Sequence, residues 1–319
     1  MKARTKAVLR PPVTRILNRY AGGELPDIAL VSSPRSGSTW LMELLASCPG
    51  VTYRDEPDHR SMIDTHQLLD INTKWSYGSL SPAERGAFVD YLADDDRVRL
   101  FGPTSPRDPG WQWKAERRVL KIIRMTSVID LFPNDLGYDT VYLVRHPIAQ
   151  ALSSLKRGHL SRLDCYLGDA AFMAALPDED MRDQARRSAR SDNALESLLV
   201  DWCLANRNAL TAKPDAPWFP CSYETLTLTP DAVLPELWDF LRLPNVDRVR
   251  RRMGVPSKNA DPRHTAEITG GHASRARMVS AWHTSVDVDE EKRLMDIVGT
   301  FGIGLYQAGS DLPVTDAAR

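Results

Sequence analysis

The stretch Ile28-Ala29-Leu30-Val31-Ser32-Ser33-Pro34-Arg35-Ser36-Gly37-Ser38-Thr39-Trp40-Leu41 decides how this chain folds. Its first four residues are apolar and β-favouring with no alternation, which marks a strand buried on both faces, and the run stops at Ser32-Ser33-Pro34. From Ser38 onward Trp40, Leu41, Leu44 and Leu45 recur at helical spacing until Pro49-Gly50 ends the pattern. The segment therefore predicts strand, loop, helix. A turn of that kind gathers successive backbone N–H groups and the positive end of a helix at one point, which makes an anion site. Ser36, Ser38 and Thr39 add hydroxyl donors, and Arg35 adds a planar fork able to hold two oxygens.

Further along, Val119-Leu120-Lys121-Ile122-Ile123 and Thr140-Val141-Tyr142-Leu143-Val144 read as two more buried strands. Arg145-His146-Pro147 breaks the second, and helical periodicity resumes from Ile148 to Leu155. Trp218 to Tyr223 is a weaker strand candidate. Strands alternating with helices predict an α/β, P-loop-like three-layer fold with a central parallel sheet flanked by helices. We expect a single domain over residues 1–319, with acceptor-site elaborations at about 57–115 and 160–212. The first carries a helix from Pro82 to Leu92, and the second is helical, with an amphipathic stretch from Ala194 to Leu210. Residues after Gly309 read as a loose tail.

Composition narrows the function. The 319 residues are 42% hydrophobic and 26% charged, with a formal net charge of -1, so no basic surface for nucleic acid is expected and any anion site must be built locally. The four cysteines form no Cys-x-x-Cys pair and the seven histidines no metal-binding spacing, so neither a metal site nor a disulfide framework is expected. The basic N-terminus lacks an apolar run, and no stretch approaches eighteen apolar residues. A soluble, cytoplasmic protein without stable membrane insertion is the expectation; oligomeric state is not legible.

The obvious rival for the loop is an ATP- or GTP-binding P-loop, Gly-x-x-x-x-Gly-Lys-[Ser/Thr]. Here Ser32 stands at the first glycine and Ser38 at the lysine, and the strand ending at Val144 runs into Arg145 rather than a magnesium-holding acid. Instead, Ser33 to Leu41 resembles the 5′-phosphosulfate loop of the sulfotransferase superfamily that uses 3′-phosphoadenosine 5′-phosphosulfate (PAPS), in the arginine version of its carbohydrate and bacterial members. Tyr142-Leu143-Val144-Arg145-His146-Pro147 through Ser153-Ser154 is similar to that family's 3′-phosphate segment, in which an arginine at the strand end and a serine eight residues later hold the extra phosphate; Arg145 and Ser153 have that spacing.

The resemblance implies PAPS as donor, adenosine 3′,5′-bisphosphate (PAP) as product, no metal, and sulfuryl transfer to a hydroxyl of a small-molecule, carbohydrate, natural-product or lipid acceptor. A phosphosulfate carries less charge than a triphosphate, so it can be held without a cation. Donor contacts are implied at Arg35, Ser36, Gly37, Ser38, Thr39, Trp40, Arg145 and Ser153. Tyr223, in Ser222-Tyr223-Glu224-Thr225-Leu226, resembles the Tyr-Glu-x-Leu element near the nucleotide. Arg275 and Arg277 resemble the late segment that closes over the donor, although His283 departs from the Trp-Arg pair of the carbohydrate branch.

Such a transfer needs a base, a cation at the transferring oxygens and a donor to the leaving oxygen. Cytosolic small-molecule members use a histidine after the central strand; Ile123 stands there. Glu56 in Tyr53-Arg54-Asp55-Glu56-Pro57 is similar to the glutamate base of carbohydrate and tyrosylprotein sulfotransferases, with Asp55, Asp58 and His59 as alternatives. Arg35 and either Lys121 or Arg124 are the implied cations. Trp111 and Trp113 either stack on the acceptor or pack. Two other readings remain, a nucleotide-dependent kinase or NTPase with a degenerate P-loop and a non-catalytic bisphosphate-binding protein.

Overall fold

Apolar runs too uniform to lie half-exposed become the strands of a covered parallel sheet. In the computed structural model, which describes residues 19–213, 215–244, 246–258, 269 and 271–314, the strands are β1 Arg19–Tyr20, β2 Ile28–Ser32, β3 Val51–Asp55, β4 Lys114–Ala115, β5 Arg117–Ile122, β6 Asp139–Val144 and β7 Trp218–Ser222. Five of them form the main sheet in the order β3-β5-β2-β6-β7, with every neighbouring pair parallel. β1 and β4 pair separately.

Alternate residues of each strand feed two cores. Ile28, Leu30, Val119, Val141 and Leu143 face the helix Ser38–Leu45, whose Leu41, Leu44 and Leu45 are fully buried, together with Leu234, Leu237 and Trp238. Ala29, Val31, Leu120, Ile122 and Tyr142 face the other way, toward the helices Pro147–Leu155, Ala194–Leu210 and Val288–Thr300. Each fully buried aliphatic side chain contributes about 1.5–3 kcal/mol, which is what holds a helix layer on either face.

β3 was not anticipated. Its charges disguise it, yet both are neutralised in place: Arg54, almost fully buried, pairs with Asp95 at 2.5 Å, and Asp55 pairs with Lys121 at 2.6 Å. The chain end is also more ordered than expected. Asp311 accepts hydrogen bonds from Trp282 and His283, and the Val314 amide donates to Leu305; residues 315–319 lie outside the described ones. The Pro82 helix runs to Ala93 and starts with a Ser81–Glu84 capping box. Among the described residues no helix is long and apolar enough to cross a membrane.

The chain leaves β2 toward β3 on one side and later crosses to β6 on the other, so β2 is a topological switch point. In open parallel sheets that is where a crevice forms beyond the carboxyl ends of the strands. The segments leaving β2, β3, β5, β6 and β7 all converge there.

Candidate active site

Arg35 has φ 69° and Gly37 φ 89°, both left-handed, so the segment after β2 curls back on itself before the helix starts at Ser38. Among the described residues, the N–H groups of Ser36, Gly37, Ser38 and Thr39 donate to no protein acceptor. That is the helix-start anion cradle predicted from the sequence. Gly37 is required twice over, because a Cβ there would also meet Tyr223 Cδ2 at 2.5 Å. The loop is pinned from behind by Asn206, which exchanges hydrogen bonds with Ser33 Oγ and accepts from Tyr142. Gln150 donates to the Pro34 carbonyl.

Beside the loop, Arg35 Nε donates to Ser153 Oγ at 3.3 Å and Arg145 donates to the Arg35 carbonyl at 3.1 Å. The Arg145 guanidinium lies 4.8 Å from the centre of the Tyr223 ring, which meets Trp40 edge-on. The Nε atoms of Arg145 and Arg275 are buried and unpaired among the described residues. Glu224 fixes this corner by accepting from the His146 amide and from Tyr306, while the His146 ring stacks on Trp282. Burial pushes that imidazole down to about 3, so it is neutral at physiological pH.

Opposite stands an acid–base cluster. Lys121, its side chain 2% exposed, ends β5 with three acceptors around its ammonium: Asp55 at 2.6 Å, Glu56 Oε1 at 2.9 Å and Thr39 Oγ1 at 3.0 Å. Both terminal nitrogens of Arg124 donate to Glu56 Oε2 at 3.2 Å. Glu56 adopts φ 58° as the chain leaves β3, turning its carboxylate back to the cations. Burial raises the Glu56 carboxyl, but Lys121 and Arg124 outweigh it and hold the group below its ordinary value. Asp55 is lowered in the same way by Lys121 and Lys258. Asp58 is fully buried and accepts from the amides of Ile123 and Arg124 at 2.9 and 2.7 Å, tying the exits of β3 and β5 together.

These groups line one cavity of about 1240 Å³. Arg35, Arg145 and Arg275 line it together with Glu56, Lys121 and Arg124, and Lys156, Arg157 and Arg162 add further cations. Among the described residues Glu56 is the only carboxylate in the lining. Among the described residues no group of three or more His, Cys, Asp or Glu side chains is arranged to hold a metal ion.

The description Sulfotransferase domain matches residues 25–301 of this chain as a family model, which spans the cradle, the Glu56 cluster and the Arg145–Ser153 helix. The chain belongs to the sulfotransferase family. It is a sulfotransferase enzyme by that membership. Among curated proteins none matches it in sequence. Solved structures similar to it include the sulfotransferase domain of the Synechococcus PCC 7002 olefin synthase, at 18% identity over 93% of this chain and 99% of that one, with a TM-score of 0.45. Another is the sulfotransferase domain from the curacin biosynthetic pathway, at 17% identity over 88% and 99%, with a TM-score of 0.40. Retinol dehydratase in complex with retinol and PAP is a third, at 15% identity over 92% and 86%, with a TM-score of 0.41.

Of the residues singled out in the sulfotransferase sequence, Glu56, Arg35, Lys121, Arg124, Gly37, Ser38, Thr39, Trp40, Arg145, Ser153, Tyr223 and Arg275 line the cavity together. Ser36 does not: its hydroxyl is fully buried without a partner, leaving only its amide toward the cradle. Arg277 does not either; it lies on the same helix between the lining residues Arg275 and Met278 but outside the lining, and it donates to Ser274 Oγ at 3.0 Å. Trp111 and Trp113 lie away from the cavity, Trp113 being 75% exposed beside β4. His59 lines the cavity, whereas Asp58 is buried outside the lining, its Oδ2 held by two backbone amides and its Oδ1 3.6 Å from Arg124. Trp75, Arg157, His159 and Arg162 were missed, because they sit in irregular segments with no periodicity or motif to mark them.

Proposed function

We propose that this sulfotransferase moves a sulfuryl group from PAPS to an acceptor hydroxyl, with Glu56 as the base. The observation that carries the reading is the Glu56 carboxylate, clamped by Lys121 and Arg124 within the same cavity as the free amides of the Ser36–Thr39 loop. The residues present fit the donor: unpaired loop amides suit a 5′-phosphosulfate, and the unpaired Nε atoms of Arg145 and Arg275, with Ser153, suit a 3′-phosphate. Trp40 and Tyr223 offer ring surface for the base. When bound, PAPS supplies the activated sulfuryl group.

Glu56 is ionised at neutral pH, since its neighbours hold the carboxyl below the ordinary range, so it is ready to accept the hydroxyl proton. On taking that proton it stops neutralising Lys121 and Arg124. Their charge becomes available to the oxygens around sulfur and to the leaving phosphate as the new S–O bond forms and the old one breaks. Asp55 stays on Lys121 throughout and keeps the ammonium in place. Arg35 adds a further cation at the loop. No metal has a role in this scheme, and the reaction belongs in a cytoplasmic setting.

Replacing Glu56 by Gln keeps the shape and removes the base. Turnover should fall by roughly 10² to 10⁴, while PAP affinity measured by titration calorimetry stays near that of the parent. An unchanged rate would move the base to another group, His59 first.

A further inference from the structure

The cavity extends past what the donor and the Glu56 cluster use. His159, Leu160 and Arg162, which follow the helix Pro147–Leu155, line it from one side, and Trp75 and His59 from the other. His59 meets Trp75 edge-on with ring centres 5.6 Å apart. Trp75 is 43% exposed and lines the cavity, with the Arg60 guanidinium 5.8 Å from its ring centre.

Arg162 is firmly held. Its NH1 donates to Ser76 Oγ at 2.9 Å and to the Trp75 carbonyl at 3.4 Å, and its amide donates to Asp201 at 3.1 Å. Neutral acceptors thus fix the guanidinium without cancelling its charge. Asp201 is the nearest acid, but burial raises its carboxyl, and no ion pair joins it to Arg162. Among the described residues neither Arg157 nor Arg162 has a carboxylate within ion-pair distance. The positive field here is strong enough to depress both histidines: after burial, Arg162, Arg35, Arg124 and Arg157 lower His159, and Arg124 lowers His59.

In a chain with a formal net charge of -1, Arg162 stands among the described residues as a cavity-lining cation held by Ser76 and the Trp75 carbonyl and by no carboxylate. We infer that the acceptor is itself anionic: a hydroxyl compound with a flat apolar or ring face for Trp75 and a carboxylate, phosphate or sulfate that Arg162 binds. Arg162 is then a specificity-determining residue. A fixed guanidinium with a free edge gives a charge-assisted hydrogen bond to an oxyanion that a neutral isostere cannot replace. This inference rests on the reading of the site as a PAPS-dependent transfer centre.

The test uses the full chain and starts by measuring PAP binding, so that failure of the donor reading is seen on its own. The PAP-saturated protein is then titrated with two matched pairs, 4-hydroxyphenylacetate against 4-hydroxyphenylacetamide, and methyl glucuronoside against methyl glucoside. The acid of at least one pair should bind about tenfold or more tightly than its neutral partner, and which pair responds distinguishes an aromatic from a sugar acceptor. Arg162→Met should erase that preference while leaving PAP affinity and the melting temperature near those of the parent; Arg162→Lys should restore part of it. With PAPS the loss should appear in KM for the acid more than in kcat. Equal binding of acid and neutral partner in both pairs, absence of binding included, overturns the inference. So does an Arg162→Met variant that folds but loses PAP, because the arginine then serves the donor.

Discussion

Glu56 and Lys121 depend on each other. A carboxylate buried to this degree is raised by desolvation, and only the ammonium at 2.9 Å and the Arg124 guanidinium reverse that. Its φ of 58° costs of order 1 kcal/mol for a residue other than glycine, strain of the kind found where a side chain must be aimed. The pH profile should report the balance. With Glu56 depressed, the acid limb of kcat/KM lies below the ordinary carboxylate value of about 4.3. Lys121→Met removes the largest depressing charge and leaves desolvation in force, so the limb should move upward, with a lower plateau. A limb that stays in place in this variant would separate Glu56 from the rate.

The strand–loop–helix unit at Ile28–Leu45 is the element that makes the donor end. Its strand is held on both faces, its loop is braced by Asn206, and Gly37 turns the chain with a φ that a side chain tolerates poorly. Gly37→Ala combines a left-handed penalty of about 1–2 kcal/mol with a Cβ only 2.5 Å from Tyr223. Tyr223 must then leave the position where it backs Arg145. PAP affinity should fall by an order of magnitude or more, and the melting temperature by a few degrees, as read by calorimetry and thermal unfolding. Full donor affinity in this variant would show that the contact of Gly37 with Tyr223 does not shape the donor end.

On the scale of the whole molecule, charge is segregated. Arg117 and Arg118 are buried at the amino end of β5 and are matched by Asp139 and Asp27, and Arg54 within β3 is matched by Asp95, whereas the cavity beyond the carboxyl ends is lined by several cations and few acids. The first set is neutralised within the fold; on the proposed function, the second receives anions. Donor affinity should therefore weaken steadily as salt rises from roughly 0.05 to 0.5 M, while the melting temperature of the free protein changes little. PAP binding by calorimetry across that range, repeated with a chelator present, checks both points: indifference to the chelator is expected, and loss of binding with it would favour a metal-dependent nucleotide site.

The sequence alone determined the parallel sheet and the cradle between β2 and its helix. Each is encoded within a dozen or so contiguous residues, where apolar runs, glycine and helix spacing act locally. It also pointed to Glu56, Lys121 and Arg124 as neighbours, but through resemblance rather than through any local rule. Tertiary structure alone decided that Lys121 and Asp55 are register partners across β5 and β3, that Asp58 is occupied by backbone amides, and that Arg275 rather than Arg277 reaches the cavity. It also decided that Trp75 and Arg162, 87 residues apart, meet in the lining of the cavity. These facts follow from strand order and from which face of an element meets which neighbour, and contacts that close such long loops leave no periodic mark in the chain.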